Sequence, residues 1–203
     1  MMHYDELKIL SGLASLVPKN GKILEIGSFY GRSTSALYAG KDPSVKLTVI
    51  DNWSYETKFI KNLQIQGDID LYNTATNISI KNKTYRAGFE YCLSKILHAI
   101  EILQIDSRLF KEHKQYDLIF IDGDHDRPAY DIQNSIKNDK SLVFGDDFYP
   151  NEFPILRQVV QDAKKDRIVV LPRGHSCKLF GLIPITGYWR NNISKIFDII
   201  ENQ

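Results

Sequence analysis

The sequence predicts a doubly wound α/β domain built on a mostly parallel sheet of seven strands. Short runs rich in Ile, Val and Leu alternate with longer segments whose apolar residues recur at helical spacing. Several of these runs stop at a glycine or a carboxylate, as strands do where they meet a ligand-binding edge. The last two runs, 168–171 and 179–183, are separated by a short loop, a spacing that favours an antiparallel β-hairpin.

The elements follow one another in a regular order. Residues 4–17 carry leucines at helical spacing and end at Pro18, so they predict a helix that covers one face of the sheet. Further helices are predicted over 33–40, 127–138, 155–163 and 193–200, and strands over 23–26, 46–50, 101–105, 118–121, 142–144, 168–171 and 179–183. The last helix is amphipathic and is predicted to pack either on the sheet or on a partner chain. A homo-oligomer is therefore one of the possibilities.

Composition places the chain among globular proteins with an ordinary core. Its 203 residues suit a single domain, 1–203, and 43% of them are hydrophobic. With 26 basic and 25 acidic residues the net charge is +1, so no global field recruits nucleic acid or a membrane surface. Cys92 and Cys177 read as free thiols of a reducing compartment. The first residues lack a signal-peptide pattern and no apolar run reaches the roughly 18 residues of a membrane span, so we expect a cytoplasmic protein.

Gly27 and Gly31 bound a turn between the first strand and the helix 33–40. A strand, a glycine turn and a helix N-terminus in this order place backbone N–H groups beside whatever ligand lies on the turn. Glycine permits close approach of the backbone and a positive φ there. The dinucleotide-binding fingerprint is absent, because Phe29 and Arg32 stand where it requires glycine.

The second strand ends in Asp51, Asn52 and Trp53. A carboxylate at this place can accept hydrogen bonds from both hydroxyls of a ribose, and Trp53 could stack on a base. The alternative is an aspartate that caps a following helix.

Residues 54–99 are too long for a simple crossover and are predicted to be a mostly helical insertion. An amphipathic run from Phe89 to Ile100 supports a helix at its end. Insertions over the C-terminal edge of a sheet are usually lids or substrate-binding regions, and we expect one of these roles here.

Two neighbouring strands end in paired carboxylates. The run 118–121 stops at Asp122-Gly-Asp-His125, and 142–144 stops at Gly145 followed by Asp146 and Asp147. Ligands of open α/β sheets bind outside the carboxyl ends of the strands, so a charged site is predicted at this edge. The alternative is that each aspartate caps a turn or is simply solvated.

The segments Leu24–Thr34 and Phe120–His125 together, in this order and spacing, resemble the class I S-adenosylmethionine-dependent methyltransferases. That resemblance implies a Rossmann-like sheet with a C-terminal antiparallel hairpin and helices on both faces. Within the class the two motifs are most similar to a branch of small-molecule O-methyltransferases. It includes metal-dependent macrolide-sugar enzymes and, more distantly, the catechol and caffeoyl-coenzyme A enzymes. The resemblance covers roughly residues 20–185, the insertion excepted.

The resemblance implies a role for each matching residue. The cofactor S-adenosylmethionine (SAM) would be bound by Glu25, Gly27, Ser28, Tyr30, Gly31, Ser33, Thr34, Asp51, Asn52, Trp53, Asp106, Ser107 and Asp122. Among these, Ser33 and Thr34 would lie near the methionine carboxylate, Asp51 at the ribose, and Asp106 and Ser107 at the adenine. A divalent cation, expected to be Mg²⁺, would be held by Asp122, Asp146 and Asp147. His125 would be the general base, with Asp122 beside it in the catalytic pair.

Methyl transfer to an alcohol gives these groups a chemical purpose. An alcohol is a poor nucleophile, and a divalent ion lowers the pKa of a bound hydroxyl as it does that of bound water. Mg²⁺ prefers oxygen ligands. An imidazole with a pKa of about 6.5 can accept the proton of the acceptor hydroxyl. The leading hypothesis is O-methylation of a small hydroxylated acceptor, a sugar or a natural-product intermediate. A nicotinamide-dependent oxidoreductase on a similar fold and a non-catalytic cofactor-binding module stay open as alternatives.

Overall fold

A computed structural model describes residues 2–54, 69–123, 128–137, 139–148, 154–171 and 178–202. They contain one sheet of seven strands in the order β3-β2-β1-β4-β5-β7-β6. The strands are β1 (Lys22–Ile26), β2 (Lys46–Asp51), β3 (Glu101–Gln104), β4 (Leu118–Ile121), β5 (Leu142–Gly145), β6 (Arg167–Val170) and β7 (Phe180–Pro184). The first five pair in parallel, whereas β7 is antiparallel to both β5 and β6. The predicted fold class is confirmed, including the C-terminal antiparallel hairpin.

Helices cover both faces of the sheet. Those described are α1 (Tyr4–Ser15), α2 (Arg32–Gly40), α3 (Ile69–Asn82), α4 (Tyr85–Cys92), α5 (Pro128–Ile136), α6 (Pro154–Asp162), α7 (Gly187–Asn191) and α8 (Ile193–Glu201). None of these helices combines the length and the apolar character that crossing a membrane requires.

Strand β4 runs through the middle of the molecule and explains why its sequence is continuously apolar. Leu118 and Phe120 face the core formed with α1, α2 and α8, while Ile119 and Ile121 face the core formed with α5 and α6. All four side chains are buried. A parallel strand covered on both faces has no solvent side, so the polar alternation of an exposed sheet is absent.

The structure differs from the predicted elements in two places. The amphipathic run 89–100 is not one helix: α4 ends at Cys92, and the chain turns through a short 3₁₀ segment, Leu97–Ala99, before β3. Leu93, just past α4, packs against Gly31 of the glycine turn. The second difference is α7, a five-residue helix that precedes α8 and was not predicted.

Candidate active site

The strand ends predicted to form a site lie side by side at one edge of the sheet. Ile26 pairs with Ile50 on one side and with Ile121 on the other, and Ile121 in turn pairs with Gly145. The residues that follow therefore stand in a row, and Asp122 and Asp146 continue the ladder through their backbone N–H groups. The expectation that these carboxylates share one edge is confirmed.

The turn between β1 and α2 requires glycine at its first position. Gly27 has φ 82°, and a Cβ built there would lie 2.2 Å from the backbone oxygen of Asp122. Gly31 also has φ 82° and directly precedes α2. The predicted glycine turn is thus present and is packed against the end of β4.

Glu25 is fully buried at the end of β1, where it meets the first turn of α2. The hydroxyls of Ser33 and Thr34 both donate to its carboxylate, Thr34 at 2.5 Å. Burial raises the pKa of Glu25 to about 7, although the two hydroxyl donors act in the opposite direction. Glu25 therefore fastens α2 to β1, and the two hydroxyls predicted near the methionine carboxylate are engaged with it.

Asp51 binds the cofactor turn through the backbone. One carboxylate oxygen accepts from the N–H groups of Ser28 at 2.8 Å and Phe29 at 3.0 Å, and the other accepts from Trp53 N–H at 2.7 Å. An ionised carboxylate has about four acceptor positions, so about one remains for a ribose hydroxyl. Its place beside the turn agrees with the sequence expectation, and its ribose contact stays a prediction.

The other residues predicted at the adenine end differ in accessibility. Asn52 is exposed, and Trp53 is only 3% exposed. Asp106 is paired with Arg108 and accepts its backbone N–H at 2.9 Å, so it caps a short 3₁₀ turn that begins at Ser107. Asp106 and Ser107 therefore lie at the expected strand end, with the Asp106 carboxylate already paired.

Tyr30 points into the core rather than along the edge. Its ring stacks on Phe29 with centroids 4.1 Å apart and meets the edge of Tyr72 in α3 at 5.2 Å. Ser28 and Tyr30 are each 6% exposed. The turn is therefore covered by the helices of the insertion, which pack directly over it.

The carboxylates after β4 and β5 repel one another. Burial raises the pKa of Asp122 well above its usual value, and the charges of Asp146, Asp147 and Glu25 raise it further. Burial raises the pKa of Asp146 to about 7, with Asp147 adding to the effect. The carboxylates after β4 and β5 are therefore close enough to interact electrostatically, in line with the charged site predicted at this edge.

Asp147 has a cationic partner that the sequence analysis missed. The ammonium of Lys178 lies 3.7 Å from its Oδ1, and Asp147 itself adopts φ 58°. Within the residues that the structure describes, His, Cys, Asp and Glu side chains form no group of three or more placed to hold a metal ion. His125 and Asp124 lie outside the described residues.

Glu6 is a second residue that sequence reasoning missed. It is fully buried at the start of α1, and its oxygens accept the backbone N–H groups of Lys178 at 2.7 Å and His3 at 2.5 Å. Its charge also contributes to the raised pKa of Asp146. The available signal was a carboxylate on the same helical stripe as Leu10 and Leu13.

Comparison with known proteins gives the family. Residues 24–148 match the model of a family described as a methyltransferase domain, a span that contains the glycine turn and both carboxylate-bearing strand ends. No curated protein matches the chain closely enough to count as a relative. The family match decides against the nicotinamide-dependent alternative.

Solved structures agree on the fold. The O-methyltransferase from Bacillus cereus in complex with S-adenosylhomocysteine (SAH) is 17% identical, with 90% of this chain and 82% of that chain covered and a TM-score of 0.55. The O-methyltransferase TomG from Streptomyces achromogenes, involved in tomaymycin synthesis and bound to SAM, is 16% identical over 92% and 82%, with a TM-score of 0.55. The SAH-bound methyltransferase PaMTH1 from Podospora anserina is 14% identical over 90% and 79%, with a TM-score of 0.60. The match of the family model over more than half the chain, on this sheet and with this glycine turn, shows that the protein belongs to the class I SAM-dependent methyltransferases.

Proposed function

We propose that this methyltransferase transfers the methyl group of SAM to a hydroxyl of a small molecule, a sugar or a natural-product intermediate. The observation that carries the proposal is the row of carboxylates beside the glycine turn. Glu25, Asp122 and Asp146 lie at the same edge. Burial raises the pKa of all three, and the charges of Glu25 and Asp146 raise that of Asp122 further. Such an edge favours cationic ligands, and the SAM sulfonium is a cation.

The cofactor half of this edge lies around the turn 27–31. Within the turn the N–H groups of Ser28 and Phe29 are already bonded to Asp51, so the N–H groups at the N-terminus of α2 are the ones that would bind the polar end of the ligand. Asp51, at the adjoining strand end, has one acceptor position for a ribose hydroxyl beyond its three backbone donors. Asn52 and Ser107, at the ends of β2 and β3, would then border the adenine.

We propose that Asp122, Asp146 and Asp147 hold a divalent cation, with Mg²⁺ the expected ion. Charge supports this proposal, because three neighbouring carboxylates repel one another and a cation relieves that repulsion. As placed in the structure the three form no group that could hold the ion, so binding would have to draw them together. All three are oxygen ligands of the kind Mg²⁺ prefers. A bound ion would lower the pKa of the acceptor hydroxyl.

His125 is proposed as the general base. It follows Asp122 by three residues, and Asp122 lies at the edge where the acceptor would meet the cofactor. An imidazole with an ordinary pKa of about 6.5 accepts a proton at neutral pH. The acceptor hydroxyl would lose its proton to His125 as its oxygen takes the methyl group, the bond from the SAM sulfur to that methyl group would break, and SAH would be the leaving group.

The proposed setting is a cytoplasmic enzyme that works on small molecules, without nucleic acid or membrane partners. The near-neutral net charge of +1 supports this, because it supplies no general attraction to polyanions. The amphipathic α8 packs its buried Ile196 and Ile200 within the chain, so the proposed homo-oligomer is not needed to cover that apolar face.

Calorimetric titration with SAM and SAH tests the proposal directly. Binding of both, followed by methylation of a panel of sugars and phenols with labelled SAM, is the expected result. Absence of cofactor binding would refute the proposed function. The metal is tested by Asp146→Ala, which should abolish the stimulation of turnover by Mg²⁺; unchanged stimulation would refute the metal site while leaving methyl transfer intact.

A further inference from the structure

Two aromatic residues at the cofactor edge adopt a backbone conformation that side chains disfavour. Phe29, in the glycine turn, has φ 46°, and Trp53, after β2, has φ 44°. The left-handed region is unfavourable for a residue with a side chain, so it persists only where surrounding contacts enforce it. The contacts that hold these two residues are therefore informative.

Phe29 is held at both of its main-chain polar groups by the last residue of β2 and by a residue just after it. Its N–H donates to Asp51 at 3.0 Å, and its carbonyl oxygen accepts the indole N–H of Trp53 at 3.1 Å. Trp53 in turn donates its own backbone N–H to Asp51 at 2.7 Å. Asp51 and Trp53 thus form a closed set of hydrogen bonds around the middle of the glycine turn.

The Trp53 ring connects this set to the insertion. It packs against Phe89 of α4 with centroids 5.0 Å apart, and the guanidinium of Arg86 lies 5.9 Å from its centre. Arg86 is itself held by Glu90 at 2.8 Å and by Gln104 at the end of β3 at 3.0 Å. A ring that is 3% exposed and packed in this way has little surface left for an adenine.

We propose that Trp53 is a positioning residue that acts on the cofactor through Phe29. Its indole N–H holds the Phe29 carbonyl, which keeps the turn 27–31 folded against the end of β2 and beside the N-terminus of α2, where the ligand would bind. Helix α4 packs against the indole and fixes its position, rather than acting as a lid. This inference rests on the proposed binding of SAM at that turn.

The chain offers a matched control for a test. It contains two tryptophans, and Trp189 is also buried and also donates its indole N–H to a backbone oxygen, that of Asp117 at 2.9 Å. Trp53→Phe and Trp189→Phe each remove one such bond and keep an aromatic ring. Asp117 lies at the opposite, N-terminal end of β4, away from the turn.

The first measurement is the dissociation constant for SAH by calorimetry, alongside urea unfolding. A buried hydrogen bond contributes about 1 kcal/mol, so Trp53→Phe should weaken SAH binding about fivefold to tenfold. Trp189→Phe should lose similar stability with unchanged SAH affinity. Unchanged SAH affinity in Trp53→Phe would overturn the inference, and so would an equal loss of SAH affinity in both variants.

The second measurement does not depend on the cofactor. Amide hydrogen exchange at Ser28 and Phe29 should be faster in Trp53→Phe than in the wild type and unchanged in Trp189→Phe. Equal exchange in the two variants would refute the positioning role. If the wild type fails to bind SAH while exchange changes as expected, the proposed function fails and the control of the turn by Trp53 stands.

The third measurement separates positioning from stacking. In Trp189→Phe, Trp53 is the single tryptophan, so its ring and indole N–H resonances can be followed alone during titration with SAH. Positioning through Phe29 predicts a retained indole hydrogen bond and small shifts of the ring protons. Large ring-current shifts would show that the adenine stacks on Trp53 and would overturn the inference.

Discussion

Glu6 and Lys178 lie 172 residues apart in the chain and meet at 2.7 Å, where the backbone N–H of Lys178 donates to the Glu6 carboxylate. Lys178 also accepts the backbone N–H of Phe148 at 2.8 Å and extends its ammonium to Asp147. The start of α1 is thereby tied to the carboxylates that follow β5. The buried carboxylate of Glu6 in α1 is thus connected, through Lys178, to Asp147 on the proposed acceptor side of the site.

Glu6→Gln should destabilise the protein by about 1–3 kcal/mol. Glutamine has a single side-chain oxygen, so one of the two backbone donors, His3 or Lys178, loses its acceptor in a buried place. Urea unfolding measures the effect. Asp5→Asn is the matched control, because Asp5 lies in the same helical turn but is exposed and paired with Lys8 at 3.5 Å.

An exposed pair of this kind is worth well under about 1 kcal/mol, so the control should change the free energy of unfolding little. Equal effects of the two substitutions would show that Glu6 contributes only as a surface charge does.

Glu25 should make stability fall as the pH rises. Its pKa is about 7 in the folded protein against 4.5 for an ordinary glutamate, so the folded state binds the extra proton between these values. Its contribution is therefore full below pH 4.5 and is lost as the pH rises through about 7. A shift of this size corresponds to about 3 kcal/mol.

The comparison is between wild type and Glu25→Gln, unfolded by urea at several values between pH 5 and 8. The wild type should lose about 3 kcal/mol more than the variant across this range, because the variant lacks both the titration of Glu25 and the Glu25 charge that raises the pKa of Asp122. Glu201→Gln, at an exposed position of α8, controls for the change in net charge. Parallel pH profiles for wild type and Glu25→Gln would contradict the raised pKa.

The strands and the shared edge could be predicted because their signals are local. Each parallel strand is a short apolar run, and the residue type that ends it is read directly from the sequence, as at Ile121 and Asp122. Parallel strands bring their ends to one edge whatever the loops do. The sheet therefore followed from short segments read in order.

The uses of individual side chains could not be predicted, because distant contacts decide them. Trp53 is an aromatic residue at a cofactor edge, and only its burial against Phe89 of the insertion reveals its packed position. The same holds for Glu6, whose partner comes from the last third of the chain. The end of α4 at Cys92 is a further case, because residues 93–100 keep helical spacing and only the structure shows Leu93 packed against Gly31 there.

Lys178→Met should tighten the binding of Mg²⁺ at the proposed metal site. The Lys178 ammonium lies 3.7 Å from Asp147 Oδ1 and competes with a metal ion for that carboxylate. Because both side chains are about one-fifth exposed, the effect should be a few-fold rather than large. Calorimetric titration with Mg²⁺ in the presence of SAH measures it, with Lys195→Met on α8 as the control. Weaker Mg²⁺ binding in Lys178→Met would argue that Lys178 organises the site instead of competing for it.

Gly27→Ala should be far more damaging than Gly187→Ala, although both glycines have a positive φ, 82° and 77°. At Gly187 an added Cβ meets no atom of the described residues within 4 Å, so the cost is conformational and about 1 kcal/mol. At Gly27 the Cβ lies 2.2 Å from the backbone oxygen of Asp122 and 2.6 Å from the Cα of Gly123, so the end of β4 must move. We expect a loss of roughly 4 kcal/mol or more in urea unfolding and, where the variant folds, loss of SAH binding. Similar losses in the two variants would mean that φ alone, and not the contact between the turn and β4, sets the requirement for glycine.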